Sequence, residues 1–239
     1  MNSTSERSFG ARLQKGTELL SHISAFTGYA PPRAEEQPAG FATLLFNITN
    51  TNHNETTLES QYHMAVLLRA DAFKGNGNDK SLFKLITKIR GAVLSQYGEN
   101  SSEMSVIMPI IRKMRNYSLV KPPKDPASPD AEEKISQSEQ SYGSLGQFAR
   151  DIISALMTFT GYNPTNADIS LTGLTSRALL IKGYDDEVIR LYRELRVMRL
   201  QRKRLYKELR IRAKRIKAYV KAQYGTDSDQ YTLIKGLQF

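Results

Sequence analysis

The hexapeptide FTGYAP at residues 26–31 returns as FTGYNP at residues 159–164, an offset of 133 residues. The same offset brings Arg69 onto Arg202. Sequence similarity at a fixed spacing is typical of proteins built from repeated structural units. The sequence therefore predicts two copies of one unit.

The repeated hexapeptide also predicts the end of a helix. Apolar residues at helical spacing precede it in both copies, from Phe9 to Phe26 and from Tyr142 to Phe159. Glycine readily adopts the left-handed conformation that closes a helix, and a proline shortly afterwards prevents the helix from continuing. We therefore expect each copy to begin with a helix over these residues.

Two longer helices and a short terminal helix are predicted to follow in each copy. The second helix is expected at about residues 39–73 and 169–206, and the third at about 79–97 and 209–224. In the first copy, residues 47–54, NITNTNHN, are poor helix formers with strong capping potential, which favours a break in the second helix there.

A deletion distinguishes the two copies. Their offset falls to 127 where QYGENS at residues 96–101 meets QYGTDS at residues 223–228. The six missing residues belong to KGNGNDKS at residues 74–81, which the second copy shortens to Lys207 and Glu208. Gly and Asn are typical of turns. If the copies share a fold, the second copy must also turn near Lys207.

These elements predict an all-α fold, a tandem duplication of a small up-and-down helical bundle. Helices that each carry one apolar stripe and are joined by short turns pack antiparallel. The first bundle is expected at residues 1–115 and the second at residues 142–239. Residues 116–141 contain four prolines among polar residues, which predicts a linker.

The net charge of +10 is unevenly distributed. Residues 1–115 carry a net +3, residues 116–141 a net −2 and residues 142–239 a net +9. The second copy is therefore the strongly basic part, and a polyanionic partner is one interpretation of it.

The chain lacks the residues that several classes of function require. The chain has no cysteine, which excludes thiolate metal sites and cysteine nucleophiles. His22, His53 and His63 do not match a usual metal-ligand spacing, and they all lie in the first copy. Ser101 and Ser228, which follow the repeated Tyr-Gly, have no shared base and are expected to cap helices. We therefore expect no metal, no cofactor and no enzymatic activity.

Targeting signals are not evident either. Residues 1–16 lack the apolar segment of a signal peptide, and no apolar stretch reaches the ~18 residues of a membrane span. We expect no transmembrane helix and, by default, a cytoplasmic location.

Arg69 and Arg202 occupy the same point of the apolar stripe in both copies. A buried arginine needs a carboxylate or several carbonyls to accept from its donors. One interpretation is a site for an anion inside each bundle. The alternative is an internal ion pair, or a side chain that reaches the surface along its aliphatic stem.

Basic residues recur at steps of three and four in the second copy, on the face opposite the apolar stripe. With a turn near Lys207, they would form two stripes on antiparallel helices that could bind the phosphates of a nucleic acid, with Tyr192, Tyr206 and Tyr219 stacking on bases. The alternative is a solvated charged face. The basic residues are Arg193, Arg196, Arg199, Lys203, Arg210, Lys214, Lys217 and Lys221.

At the C-terminal end, Arg202 and the pair Leu205-Tyr206 are followed by YVKAQYGTDSDQY at residues 219–231. A similar ending after an Arg and Leu-Tyr helix occurs in uncharacterised bacterial helical proteins, which this segment resembles. The resemblance covers mainly the second copy and implies a structural motif. That group has no assigned activity, so no functional residue is carried over.

Taken together, these patterns favour a non-enzymatic helical scaffold or macromolecule-binding protein with an unknown protein partner. Sequence-independent binding of nucleic acid through the basic helices of the second copy is the alternative hypothesis. The sequence does not determine the oligomeric state.

Overall fold

The computed structural model describes residues 8–75, 77–115 and 141–239. These residues form α-helices and two single-turn 3-10 helices, and none of them lies in a β-strand. The predicted all-α fold class is confirmed.

The helices begin and end mainly where glycine, proline and capping residues predict. The short 3-10 helices are Ala34–Glu36 and Ala167–Ile169, each just before a long helix. The α-helices are α1 (Phe9–Ala25), α2 (Pro38–Lys74), α3 (Leu82–Tyr97), α4 (Ser102–Arg115), α5 (Tyr142–Thr158), α6 (Leu171–Tyr224) and α7 (Asp229–Lys235).

The first helix of each copy is capped in the same way. The Ser8 hydroxyl accepts from the Ala11 amide of α1 at 3.2 Å, and the Ser141 hydroxyl accepts from the Ser144 amide of α5 at 3.1 Å. Both helices end just before a glycine with φ of +78° or +75°, at residues 28 and 161. Only glycine adopts this conformation without strain, which explains the helix stop in the repeated hexapeptide.

Helix α2 does not break at residues 47–54, contrary to the prediction. The Thr49 hydroxyl donates to the Leu45 carbonyl at 3.0 Å, and the Thr56 hydroxyl donates to the Asn52 carbonyl at 3.0 Å. These hydroxyls bond back to their own helix and so do not cap a new one. Ile48 is fully buried, and its packing holds this polar segment in the helix.

The predicted turn near Lys207 is wrong. Helix α6 runs without interruption for 54 residues, and Tyr206 and Leu209 on either side of the expected turn are both buried. In the first copy the chain leaves α2 at Gly75 and re-enters a helix after Ser81. The second copy has deleted those turn residues and has no glycine, proline or cap left to end the helix.

The chain folds into two compact units that do not coincide with the sequence copies. Unit 1 combines Met1–Gln61 with Leu191–Phe239, and unit 2 is Tyr62–Arg190. The predicted domains at residues 1–115 and 142–239 each contribute to both units. Because α6 does not turn, its residues 209–224 belong to unit 1, whereas α5 belongs to unit 2.

The core of each unit accordingly combines side chains from both copies. In unit 1, α1 and the N-terminal part of α2 pack with the C-terminal part of α6 and with α7, for example through Leu19, Phe41, Ile216 and Ile234. The core of unit 2 is formed by the C-terminal end of α2, α3, α4, α5 and the N-terminal part of α6. Its buried side chains include Ile86, Ile107, Met114, Leu145 and Ile152.

Equivalent residues make the same local contacts in the two units. The Tyr29 hydroxyl donates to the Glu36 carbonyl at 2.8 Å in unit 1, and the Tyr162 hydroxyl donates to the Ile169 carbonyl at 2.9 Å in unit 2. Burial raises the pKa of Tyr162 to about 12 and that of Tyr29 beyond the usual range. Each bond holds the segment between the first helix and the 3-10 helix.

Candidate functional site

Arg202 lies in unit 1 against residues of the first copy. Its Nε is 2.9 Å from Oε2 of Glu55, an ion pair whose geometry falls short of a hydrogen bond. Its guanidinium carbon lies 4.4 Å from the centroid of the Phe9 ring, which in turn packs on Tyr206 at 4.6 Å. Arg202 is therefore held by one carboxylate and one aromatic face.

Arg69 has the corresponding environment in unit 2. Its Nη1 donates to Oδ1 of Asp185 at 2.8 Å, and its guanidinium carbon lies 4.1 Å from the Tyr142 ring centroid. Phe73 packs on Tyr142 at 4.9 Å. Each arginine thus contacts the first-helix aromatic residue of the other copy and an internal carboxylate, as the ion-pair alternative requires.

Ser101 and Ser228 cap helices, and two of the histidines lie on the protein surface. The Ser101 hydroxyl accepts from the Met104 amide at 3.1 Å, and the Ser228 hydroxyl accepts from the Tyr231 amide at 3.2 Å, so both serines cap helices. His53 and His63 are exposed on α2. No group of three potential metal-ligating side chains is found in the part of the chain that the structure describes.

A cavity in unit 2 has an apolar lining that includes Leu85, Ile89, Ile152 and Leu174. Neither Arg69 nor Arg202 lines it. The two arginines that could have marked a ligand site therefore face protein side chains instead.

The basic residues of the second copy lie on one helix and not on two. They belong to α6, and with no turn at Lys207 the two predicted stripes become one continuous surface in unit 1. Residues 191–224 contain 13 Arg and Lys residues and 2 Glu residues, a net charge of +11. The predicted pair of antiparallel basic helices is thus replaced by a single basic helix.

Three of the predicted basic residues are engaged within the protein. Arg199 pairs with Glu59 at 2.8 Å and with the buried Glu55 at 3.4 Å. Lys217 donates to the Lys235 carbonyl at 3.1 Å and to the Leu237 carbonyl, and burial lowers its pKa. The ammonium of Lys221 is 6.0 Å from the centroid of the Tyr231 ring.

The other five predicted basic residues are exposed and have no side-chain partner among the described residues. Arg204 and Lys207 are also exposed and have no side-chain partner among the described residues. They were not among the predicted basic residues, because the sequence predicted a turn near Lys207. The seven residues, hereafter the α6 basic face, are Arg193, Arg196, Lys203, Arg204, Lys207, Arg210 and Lys214.

The two acidic residues in this segment of α6 lie beyond one edge of the α6 basic face. Glu208 pairs with Arg212, which also donates to the Glu35 carbonyl at 3.0 Å. Glu194 lies 14 residues before Glu208, which at about 100° per residue places both on one side of the helix. Acidic residues of this segment therefore border the α6 basic face on one side only.

Exposed apolar side chains lie among these basic residues. Val197 is 64% exposed, Leu200 54% and Ile211 40%. Nine residues make about two and a half helical turns, so side chains nine residues apart point in opposite directions. Leu200 is nine residues from both Leu191 and Leu209, which are buried, so it points directly away from the core.

Of the three tyrosines expected to stack on bases, one is largely exposed. Tyr206 is buried, with 3% exposure, and Tyr219 packs edge-on against Tyr29 at 5.4 Å. Tyr192 is 53% exposed. Two of the three tyrosines predicted to stack on bases, Tyr206 and Tyr219, therefore pack within the protein instead.

Comparisons with protein-family models, curated proteins and solved structures find no match. The resemblance of the C-terminal segment to uncharacterised bacterial helical proteins accordingly stays a prediction. Among the helices of the described residues, none has both the length and the apolar composition needed to cross a bilayer.

Proposed function

We propose that this chain is a non-enzymatic helical binding protein that holds a polyanion, either a macromolecule or an anionic surface, on the α6 basic face. The observation that carries the proposal is that seven Arg and Lys side chains on one surface of a continuous helix are exposed and have no side-chain partner in the part of the chain that the structure describes. Surface charges of one sign attract polyanions, largely through release of their counterions.

The rigidity of α6 supports this function. Leu195, Leu209 and Ile216 fix the opposite face of the helix in the core of unit 1. The basic side chains are therefore presented from a backbone that does not have to be ordered on binding. A preorganised surface loses less conformational entropy when it binds.

Nucleic acid is a second candidate for the polyanion. The α6 basic face runs from Arg193 to Lys214, about 30 Å along the helix axis, which is long enough to face several successive phosphates of one strand. Contacts of this kind position a protein on the backbone and carry no sequence information.

The general proposal is tested by retention on immobilised heparin. We expect the full chain to elute at high salt, and the variant Arg196→Glu, Lys203→Glu, Lys207→Glu, Arg210→Glu to elute at much lower salt, because elution reports the number of cations in contact. The matched control reverses four exposed cations of α3 and α4, namely Lys84, Arg90, Arg112 and Lys113. Equal losses in both variants would show that bulk charge, and not the α6 basic face, is responsible.

We also propose that the two copies arose by duplication of one helical unit. Each copy now contributes helices to both units, as in a domain swap. The equivalent contacts of Arg69 and Arg202, and of Tyr29 and Tyr162, support this origin. A shortened hinge is a common cause of such exchange, and the second copy lacks the hinge that the first copy has at residues 75–81.

A further inference from the structure

Three exposed apolar side chains that lie among the residues of the α6 basic face, Val197, Leu200 and Ile211, are not accounted for by a purely electrostatic surface. Val197 is nine residues from the buried Tyr206, and Ile211 is nine residues from the buried Val220. Like Leu200, each therefore points away from the core of unit 1. A partner that offers only phosphates would leave these side chains in water.

Basic residues flank Leu200 and Ile211 on both sides, and Val197 lies at the edge next to Arg204. Lys207 and Lys214 lie on one side of Leu200 and Ile211 in projection, and Arg204 lies on the other. Apolar side chains bordered by Arg and Lys are typical of helices that lie in the plane of an anionic membrane surface. There the apolar groups enter the interface while the cations attract acidic lipid headgroups.

We propose that the α6 basic face, together with Val197, Leu200 and Ile211, binds the surface of an anionic lipid bilayer. The proposal rests on the proposed function and names the class of polyanion. The helix lies on the membrane without crossing it. The long Arg and Lys side chains keep their charges at the headgroups while their aliphatic stems pack beside the apolar residues.

Sedimentation with lipid vesicles tests this proposal on the full chain. We expect binding to vesicles of roughly 3:1 phosphatidylcholine and phosphatidylserine, and at least about tenfold weaker binding to vesicles of phosphatidylcholine alone. The triple variant Val197→Gln, Leu200→Gln, Ile211→Gln is expected to bind the mixed vesicles at least about tenfold more weakly, because the apolar insertion is lost. Its retention on heparin should not change.

A matched variant removes exposed apolar side chains elsewhere in unit 1. Phe46 of α2 is 64% exposed and Leu233 of α7 is 53% exposed. We expect the variant Phe46→Gln, Leu233→Gln to bind the mixed vesicles like the unmodified chain. Far-UV circular dichroism of all the variants checks that they keep the helical fold.

The outcomes separate the lipid proposal from the general one. If the chain binds heparin but not the mixed vesicles, the membrane proposal is overturned and the proposed function stands. If the chain binds neither, both proposals fall. Binding of a short RNA or DNA duplex at least about tenfold more tightly than the vesicles, unchanged in the triple apolar variant, would identify nucleic acid as the partner and overturn the membrane proposal.

Discussion

Glu55 is the most consequential charged side chain of unit 1. It is 3% exposed and lies next to both Arg199 and Arg202. Arg202 also rests on Phe9 of α1, so this group of side chains joins α1, α2 and α6. A buried carboxylate of this kind is stable only with its counter-charges in place.

We predict that Glu55→Gln lowers the free energy of unfolding by about 1–3 kcal/mol. The substitution leaves the partly buried Arg202 without a counter-charge and Arg199 with Glu59 alone, and the partial exposure of Arg202 keeps the loss below that of a fully buried pair. Glu59→Gln is the control, because Glu59 pairs with Arg199 at the surface and such a pair contributes about 0–1 kcal/mol. Urea denaturation measures both. Equal effects of the two substitutions would contradict the prediction.

The positions of the two stripe arginines could be predicted from the sequence, but their partners could not. The offset of 133 residues relates Arg69 to Arg202 and also Phe9 to Tyr142. It does not relate Glu55 to Asp185, since these carboxylates lie at positions that are not equivalent in the two copies. Each pair also joins residues of different copies, which a reading of one copy at a time does not reveal.

Among the helices, those bounded by strong local signals were predicted closely. Helices α1 and α5 end one residue before the predicted position, because glycine and proline end a helix by backbone geometry alone. The prediction was wrong for α6, where no local signal ends the helix. Its sequence from Asp185 to Tyr224 contains no helix stop, and the analogy with the first copy was given more weight than this local pattern.

We predict that Lys207→Pro destabilises unit 1 by about 3 kcal/mol or more. Proline removes the hydrogen bond from residue 207 to residue 203 and collides with the preceding helical turn. Lys207→Ala is the control, because it removes the same charge and preserves the helix. Thermal denaturation followed by circular dichroism measures both. Tolerance of the proline would indicate a turn at this position.

At the scale of the whole molecule, neither sequence copy contains a complete core. Unit 1 needs α1 and the start of α2 from one copy, and the end of α6 and α7 from the other. Unit 2 needs α3 and α4 from the first copy and α5 from the second. Residues 116–140 of the predicted linker lie outside the part of the chain that the structure describes, so dividing the chain there removes no core residue of the described helices.

We predict that fragments 1–128 and 129–239 fold cooperatively only when they are mixed. Each fragment alone exposes the apolar faces that the other covers, whereas the mixture restores both cores. Circular dichroism of the mixture should exceed the sum of the two fragments, and light scattering should give a 1:1 complex. Two fragments that each unfold cooperatively as monomers, with the thermal midpoint of the intact chain, would refute this prediction.

The assignment of residues to the two units also determines the order in which they can form during synthesis. Unit 2 is one continuous stretch, Tyr62–Arg190, and its residues have all been translated while the C-terminal part of unit 1 has yet to be made. Domains usually fold from the N-terminus onward as the ribosome releases them. Helix α1 and the start of α2 therefore stay without their partners in unit 1 until residues 191–239 have been synthesised.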